Sequence, residues 1–187
     1  MKKLTAWILA LVMLCSCAAM AETAGKETMG TLKMGRSFEL KCAIPEGYRL
    51  NVAVNETDRC GAIVEPVDPA KPTLYISIAY NELDSNVDRL NDLDPESRAA
   101  IEASFRAEDD VEITVMTTAH GTEIFVVREI EGNTDFVDFY SIYKGYEVEL
   151  VLAHADQAEP GAAATPVTDE EIQMAMQFLS DLDFVGE

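Results

Sequence analysis

The two histidines, His120 and His154, are the first candidates for catalysis, because histidine exchanges protons near neutral pH. The strand pattern described below places His120 in a turn and His154 after a later strand. At ~3.4 Å per strand residue, the two side chains are predicted to lie on the order of 30 Å apart. That separation excludes a shared metal ion or proton relay. No Gly-x-Ser-x-Gly segment frames a serine, so the sequence carries no hydrolase motif.

Three aspartates, Asp84, Asp88 and Asp92, recur every fourth residue in a segment with helical periodicity. On a helix they would line one flank, where they form a weak candidate for a divalent-cation site. Calcium, however, requires about six to eight converging oxygens, usually from a loop, and the Asp-rich calcium-loop pattern is absent. The row is therefore predicted to be a solvated face, and no metal or cofactor is predicted.

Cys42 and Cys60 are the two cysteines that follow the export segment, and an even pair in an exported chain favours a disulfide. The alternative is a reactive thiol. If residues 60–65 simply formed a third strand beside residues 48–54, Cys60 would lie roughly 10 Å from Cys42, which is too far for a disulfide. The predicted bond therefore requires residues 55–60 to return towards the strand that contains Cys42.

Aromatic residues are frequent in two neighbouring predicted strands around residue 140. Most of these rings are predicted to be buried, because strands covered on both faces use aromatic residues in this way. If one face is open, it is the predicted partner-binding surface. The four candidates for that surface are Phe139, Tyr140, Tyr143 and Tyr146.

The chain begins with an export signal: Lys2 and Lys3 precede the apolar run LTAWILALVMLC, which is shorter than a membrane span. Small residues at Ala19 and Ala21 predict removal of residues 1–21 by cleavage after Ala21. The alternative is a lipoprotein signal that leaves Cys17 lipidated. Both predict an exported protein, secreted or in the cell envelope, with no membrane-inserted segment after the signal is removed.

The composition is strongly acidic, with 14 Lys and Arg against 34 Asp and Glu and a net charge of −20. Such a charge repels phosphate backbones, so we expect the protein not to bind nucleic acids. It favours solubility and an unknown protein or small cationic ligand as partner. Residues 22–35 show neither helical nor strand periodicity and contain three glycines, which predicts a flexible lead-in. The length of the chain predicts one domain, at residues 36–187.

Two alternating segments open that domain. Residues 38–44 and 48–54 each place apolar side chains on one face and are joined by Pro-Glu-Gly, which predicts a β-hairpin. Residues 73–80 alternate in the same way and predict a further strand. The period then changes: Leu83, Val87 and Leu90 have the spacing of one helical face.

In the second half of the chain, the residues that begin and end helices and strands are easier to recognise. Asp94 and Pro95 predict the N-cap and first residue of a helix. Short glycine-bearing connections divide residues 111–153 into four strands of a meander. Thr168 and Glu171 predict the capping box of a last helix. Together these elements predict an α+β fold, an antiparallel sheet with helices packed on both faces.

The order of FELKCAIPEGYRL, TLYISIAY, a helical middle, DFYSIYKGYEVELVLAH and DEEIQMAMQFLSDLDF resembles the PsbP-like fold over residues 36–185. The resemblance implies a non-catalytic binding or accessory module and brings no catalytic residues. The sequence therefore predicts an exported binding domain of unknown ligand. The alternatives are a secreted hydrolase with an acidic active site and a divalent-cation-binding protein. A pocket that joined two carboxylates to a histidine would favour the hydrolase.

Overall fold

Ten β-strands and two α-helices form the described part of the chain. The computed structural model describes residues 28–34, 38–80, 86–106, 111–154 and 164–185. In chain order, the strands β1 to β10 are Thr28–Met34, Phe38–Ile44, Tyr48–Asn55, Arg59–Pro66, Thr73–Tyr80, Glu112–Thr117, Glu123–Glu131, Thr134–Tyr143, Tyr146–Ala153 and Asp183–Val185. The helices are α1, Pro95–Phe105, and α2, Asp169–Ser180, and a 3₁₀ turn spans Leu90–Asp92.

The strands form two sheets in which every pairing is antiparallel. The larger sheet has seven strands in the order β3-β4-β5-β9-β8-β7-β6. The smaller sheet has the order β1-β2-β10, with β2 in the centre. The predicted α+β class is confirmed at this level: the fold is mostly antiparallel sheet with two helices.

The predicted four-strand meander is confirmed by β6 to β9, which follow one another in the sheet from its edge. Gly132 and Gly145 occupy turn positions with φ of 65° and 80°, a conformation that costs glycine little and other residues more. The tight turns keep successive strands adjacent. As a result, side chains of alternate residues on β6, β7 and β8 lie side by side on each face.

The predicted hairpin of residues 38–44 and 48–54 does not form. Strand β2 pairs with β1 and β10, so Leu40 lies opposite Leu32, whereas β3 pairs with β4, so Leu50 lies opposite Val64. Strand β2 has the predicted buried side, with Leu40, Cys42 and Ile44, and Tyr48 and Leu50 of β3 pack partly buried against the main core. Alternation identifies the buried face of a strand but not its hydrogen-bonding partner, and here the two strands belong to facing sheets.

The predicted lead-in, residues 22–35, contains strand β1, and this corrects the domain boundary. Gly30, Leu32 and Met34 are the buried positions of β1. A Cβ atom on Gly30 would lie 2.5 Å from Leu50 Cδ2 and 3.0 Å from the Cys42 sulfur. Glycine therefore permits β1 to approach β3 closely. It also breaks the run of apolar side chains that would have marked the strand in the sequence.

The main core lies between the smaller sheet, one face of the larger sheet, and α2. Leu40, Ile76, Phe139 and Leu150 are fully or almost fully buried there. Helix α2 contributes Ala175, Met176 and Phe178 to this core. Its capping box is confirmed: the Thr168 hydroxyl accepts a hydrogen bond from the Glu171 N–H, and the Glu171 carboxylate accepts one from the Thr168 N–H.

A smaller core joins α1 and the 3₁₀ turn to strands β7 and β8. Phe105 packs edge-on against Phe125 and Tyr140, with ring centroids 6.4 Å and 5.4 Å apart, beside the buried Leu90. The predicted α1 start is confirmed, because the Asp94 side chain accepts hydrogen bonds from the N–H groups of residues 96 and 97. Phe125 and Tyr140 alternate with residues of the main core.

The predicted helix over residues 83–90 is not present within its described part, residues 86–90. The Asp88 carbonyl accepts a hydrogen bond of 2.8 Å from the Lys144 N–H, and the Val87 carbonyl accepts one of 2.9 Å from the Gly145 N–H. Arg89 forms a bridge with Tyr143. These residues therefore use their backbone groups to bind the β8–β9 turn.

Within the described ranges, no helix has the length and apolar character needed to cross a membrane.

Candidate functional site

A cavity of about 410 Å³ lies between the end of α2 and the larger sheet. We call it the terminal cavity. Its volume lies in the range of small-molecule sites in proteins. Its walls combine hydroxyl, imidazole and carboxylate groups with aliphatic side chains. They are formed by Thr118, His120, Thr122, Ile124, Ser141, Tyr143, Val148, Leu179, Ser180, Asp181 and Leu182.

Two structural units position the polar groups of the terminal cavity. The first is the β6–β7 turn, in which the Gly121 N–H donates to the Thr118 carbonyl at 3.0 Å. Asn91 holds this turn from the 3₁₀ segment: its amide donates to the Gly121 carbonyl, and its side-chain oxygen accepts from the Glu123 N–H. The turn that carries His120 is therefore anchored on both sides.

The second unit is the end of α2, which presents Ser180 and Asp181. The Asp181 N–H donates to the Gln177 carbonyl at 3.0 Å, which ends the helix at this point. The Asp181 carboxylate accepts the Gln177 side-chain amide at 2.8 Å from both oxygens. Asp181 is exposed at the cavity rim.

Ser180 and Ser141 line the same cavity with different hydrogen bonding. The Ser141 hydroxyl donates to the Glu123 carbonyl at 2.9 Å. The Ser180 hydroxyl oxygen is buried and has no hydrogen-bond partner in the described part of the protein. A buried hydroxyl without a partner carries a desolvation cost of about 1–3 kcal/mol. Ser180 therefore offers this cavity a buried hydroxyl with unused hydrogen-bonding capacity.

The two histidines lie at opposite ends of α2. His120 is exposed at the terminal cavity, and its ring makes no hydrogen bond with the described residues. His154 Nε2 lies 3.2 Å from Glu171 Oε2, at the start of α2. The structure therefore keeps them apart. The terminal cavity is lined by His120 and by one carboxylate, that of Asp181. The acidic active site of a hydrolase was expected to have two carboxylates beside a histidine.

A second cavity of about 370 Å³ lies beside the first turn of α2. We call it the lateral cavity. Its walls are formed by Glu112, Thr114, Met116, Val126, Arg128, Val137, Asp169, Ile172 and Gln173. Arg128 is paired with the buried Asp135, and its guanidinium also donates to the Val167 carbonyl at 3.0 Å. The hydrogen bonds that the Arg128 guanidinium donates to the Asp135 carboxylate raise the pKa of Arg128 above its ordinary value.

An acidic pair lies on the opposite face of the sheet. Asp138 on β8 and Glu149 on β9 are diagonal neighbours, because Asp138 lies opposite Val151 and Tyr140 lies opposite Glu149. Burial, followed by the charge of Glu149, raises the pKa of Asp138 well above its usual range. Burial also raises the pKa of Glu149. One Asp138 oxygen, Oδ1, is buried and has no hydrogen-bond partner.

The predicted aromatic surface is only partly present. Phe139 is fully buried in the main core, and Tyr140 is 8% exposed in the smaller core, so neither ring offers a surface. Tyr143 is half-buried and lines the terminal cavity. Tyr146 packs edge-on against Tyr80, with ring centroids 5.7 Å apart. The strands are covered on both sides at Phe139 and Tyr140, which is why these rings are buried.

The predicted aspartate row is not assembled on a helix. Asp84 lies outside the described residues, and Asp88 and Asp92 are exposed on either side of Arg89. The Arg89 guanidinium pairs with the Asp92 carboxylate at 3.1 Å. Among the described residues, no group of three or more acidic, histidine or cysteine side chains is arranged to hold a metal ion.

Cys42 and Cys60 lie in facing sheets, on β2 and β4, and both belong to the main core. They are free, buried thiols in this structure. Burial raises the pKa of Cys42 to about 11, against a smaller lowering by the Gly30 backbone. Burial and the neighbouring Cys42 raise the pKa of Cys60 to about 12. The disulfide stays a prediction, and Cys17 lies outside the described residues.

Comparison with protein-family models and with curated proteins found no match for this chain. The case for a function therefore rests on the geometry of the terminal cavity and its surroundings. Sequence reasoning had singled out only His120 and Tyr143 among its lining residues. It missed Ser180 and Asp181, because a helix end carries no signal for the distant turn that it faces.

Proposed function

We propose that the protein is an exported, non-catalytic binding domain, and that the terminal cavity receives a small cationic ligand or a cationic side chain of a partner protein. The observation that carries this proposal is the buried, unpartnered Ser180 hydroxyl in a cavity of about 410 Å³ that is rimmed by Asp181. An unused hydroxyl can bind a polar ligand atom without losing an internal hydrogen bond.

The charge of the chain supports a cationic ligand. The net charge is −20, and Asp181 is the carboxylate among the cavity-lining residues. A negative field raises the local concentration of cations and their rate of association. The hydroxyls of Thr118, Thr122 and Ser141 add hydrogen-bonding groups, and the aliphatic lining suits the methylene groups of an alkylamine.

The test is titration with small probes, followed by NMR. Putrescine and N-acetyl-lysine amide are the cationic probes; glycerol and glutarate are the neutral and anionic comparisons. We expect the cationic probes to shift resonances of residues around the cavity. We expect Asp181→Asn to weaken their binding about tenfold, equivalent to ~1.4 kcal/mol. We expect Glu131→Gln to have no effect, because Glu131 is exposed at the end of β7 that lies away from the cavity. Equal effects of the two substitutions would contradict the proposal.

Two alternatives are tested with the same samples. A secreted hydrolase is favoured only by the presence of Ser180, His120 and Asp181 around one cavity. If a fluorophosphonate labels the wild-type protein but not Ser180→Ala, the result would support hydrolysis, and not binding alone, as the function. A divalent-cation-binding protein would show saturable calcium binding that Asp88→Asn or Asp92→Asn weakens.

The architecture we propose is a PsbP-like sheet with a helix on each face, and the location we propose is outside the cytoplasm. The intact mass of the protein from its own host tests the export step. A chain that begins at Glu22 supports cleavage after Ala21, and a lipid-bearing chain that begins at Cys17 supports the lipoprotein alternative. A gain of two hydrogens on reduction supports the proposed bond between Cys42 and Cys60.

A further inference from the structure

The terminal and lateral cavities are lined by residues of three shared elements, β7, β8 and α2, and by β6 together with the turn that follows it. Strand β6 contributes Thr114 and Met116 to the lateral cavity, and Thr118, the residue directly after β6, lines the terminal cavity. Strand β7 contributes Val126 and then Ile124. Each step is two residues, so these side chains lie on one face of the sheet. The two cavities therefore follow one line between α2 and β6, which we call the α2–β6 groove.

The length of the groove follows from α2, which forms one wall. The helix spans Asp169–Ser180, from the lateral cavity to the terminal cavity. At ~1.5 Å per residue, its 12 residues measure about 18 Å. An extended chain rises ~3.3 Å per residue, so a groove of this length matches about five or six residues.

The side chains along the groove combine groups that suit an extended peptide. Thr114 and Gln173 supply hydrogen-bonding groups in the lateral cavity, between the aliphatic surfaces of Val126 and Ile172. An extended peptide presents backbone polar groups together with alternating side chains, which pockets can read separately. A sugar chain usually stacks on aromatic rings, and Tyr143 is the one aromatic residue among the lining residues of the two cavities.

The charges along the groove indicate the sign of the ligand. Glu112 and Asp169 line the lateral cavity, and Asp181 lines the terminal cavity. Arg128 is the one cationic residue in the lateral lining, and its charge is matched by the buried Asp135. Both ends of the groove therefore present carboxylates to a ligand, which is complementary to a basic chain.

We propose that the α2–β6 groove binds a short, extended, basic peptide segment of a partner protein, with one basic side chain at Asp181 and the following residues along β6 towards Glu112. This inference rests on the proposed function, because it uses the terminal cavity as the site for the cationic group. It goes beyond that function in requiring the lateral cavity as well.

The test uses a fluorescein-labelled octapeptide of alternating lysine and valine, and a glutamate–valine octapeptide as the charge-reversed comparison. Fluorescence anisotropy is measured in about 150 mM salt, where the screening length is ~8 Å and long-range attraction is weak. Thr114→Arg places a long cationic side chain in the lateral cavity. Thr117→Arg is the matched control, because Thr117 is exposed on the same strand and alternates with the groove-lining positions.

We expect the lysine–valine peptide to bind and the glutamate–valine peptide not to bind. We expect Thr114→Arg to weaken binding about tenfold and Asp181→Asn to weaken it by a similar factor, while Thr117→Arg changes it less than about threefold. Circular dichroism and the urea midpoint establish that each variant is folded.

Three results would overturn the inference. Equal weakening by Thr114→Arg and Thr117→Arg would show general charge attraction to an acidic protein. Peptide binding that is unaffected by Thr114→Arg, together with small-amine binding that depends on Asp181, would overturn the peptide groove and leave the proposed function in place. Binding of a hexamer of N-acetylglucosamine that depends on Thr114, with none of the lysine–valine peptide, would assign the groove to a polysaccharide.

Discussion

Asp135 and Asp138 lie three residues apart on β8, on opposite faces of the larger sheet, and the surroundings of their carboxylates differ. The Asp135 carboxylate accepts hydrogen bonds from the Arg128 guanidinium and, at 2.7 Å, from the Val167 N–H. Asp138 has Glu149 as its neighbour, and its Oδ1 atom has no partner. One carboxylate is buried with a cation, and the other is buried beside another acid.

This difference shows how the same side chain takes different roles on one strand. Asp135 joins β8 to β7 and to the segment that precedes α2, so it supports the wall of the lateral cavity. Asp138 has a side-chain hydrogen bond with Glu149 on β9 but no cation beside it among the described residues, and burial raises its pKa. A buried acid beside another acid is stable as a neutral or proton-sharing group. Separate substitutions can therefore test the contribution of Asp135 to stability and the effect of the raised pKa of Asp138.

The largest expected effect is that of Asp135→Ala. It leaves the half-buried Arg128 without its partner and the Val167 N–H without an acceptor. We expect the free energy of unfolding to fall by about 3 kcal/mol, at the lower end of the range for a broken buried pair, because Arg128 is partly exposed. Urea denaturation measures this change.

The double variant Arg128→Leu/Asp135→Leu is the control for that prediction. It removes both charges and leaves no uncompensated ion, so we expect most of the lost stability to return. A single variant as stable as the wild type would show that the Arg128–Asp135 pair does not stabilise the fold.

A smaller effect of opposite sign is expected for Asp138→Asn. The substitution removes an acid whose pKa is raised by burial, and a raised pKa costs folding free energy at pH values above that of the unfolded acid. We therefore expect the free energy of unfolding at pH 7 to rise by about 1 kcal/mol. Asp88→Asn, at an exposed aspartate, is the matched control and is expected to change nothing. A loss of stability in Asp138→Asn would show that the charged carboxylate is itself stabilising.

The pH dependence sharpens the contrast. The pKa of Asp138 is higher in the folded protein than in the unfolded chain, where it is about 4. Its stabilising contribution is complete below pH ~4 and is lost as the pH rises through the folded-state pKa. We therefore expect the difference in urea midpoint between Asp138→Asn and wild type to grow from pH 4 towards pH 8. A constant difference would contradict a raised pKa.

The smallest expected effect concerns two uncharged residues, Ser141 and Ser180, of which one hydroxyl has a hydrogen-bond partner and the other has none. Ser180→Ala removes a buried hydroxyl without a partner, so we expect stability to stay constant or rise by up to about 1 kcal/mol. Ser141→Ala removes a made hydrogen bond and leaves the Glu123 carbonyl without it, so we expect a loss of about 1–2 kcal/mol. Thermal unfolding in the absence of ligand compares them, and equal losses would contradict the assignment.

Local signals in the sequence predicted the starts of both helices. Asp94 and Pro95 begin α1, and Thr168 and Glu171 cap α2, because capping depends on residues three or four positions apart. The meander was predictable for a similar reason, since its turns need glycine. Each of these features is decided by neighbours in the chain.

Strand partners and the site depend on distant residues and were not predicted. Alternation in residues 38–44 and 48–54 identified two buried faces, but it could not show that the faces belong to opposite sheets. The spacing of Val87 and Leu90 suggested a helix, yet hydrogen bonds to the β8–β9 turn hold residues 87 and 88 in another conformation. The terminal cavity likewise joins residues near 120 to residues near 180.

The order of the smaller sheet has a consequence for how the chain folds. Strand β2 lies between β1, residues 28–34, and β10, residues 183–185. The sheet therefore cannot be completed until residue 185 has left the ribosome. The β2–β10 pairing joins residues far apart in the chain, such as Lys41 and Asp183, and such long-range pairing slows folding. A slowly folding chain stays open for longer after synthesis. If the protein is exported as proposed above, that delay favours its passage through a translocation channel before the two sheets pack together.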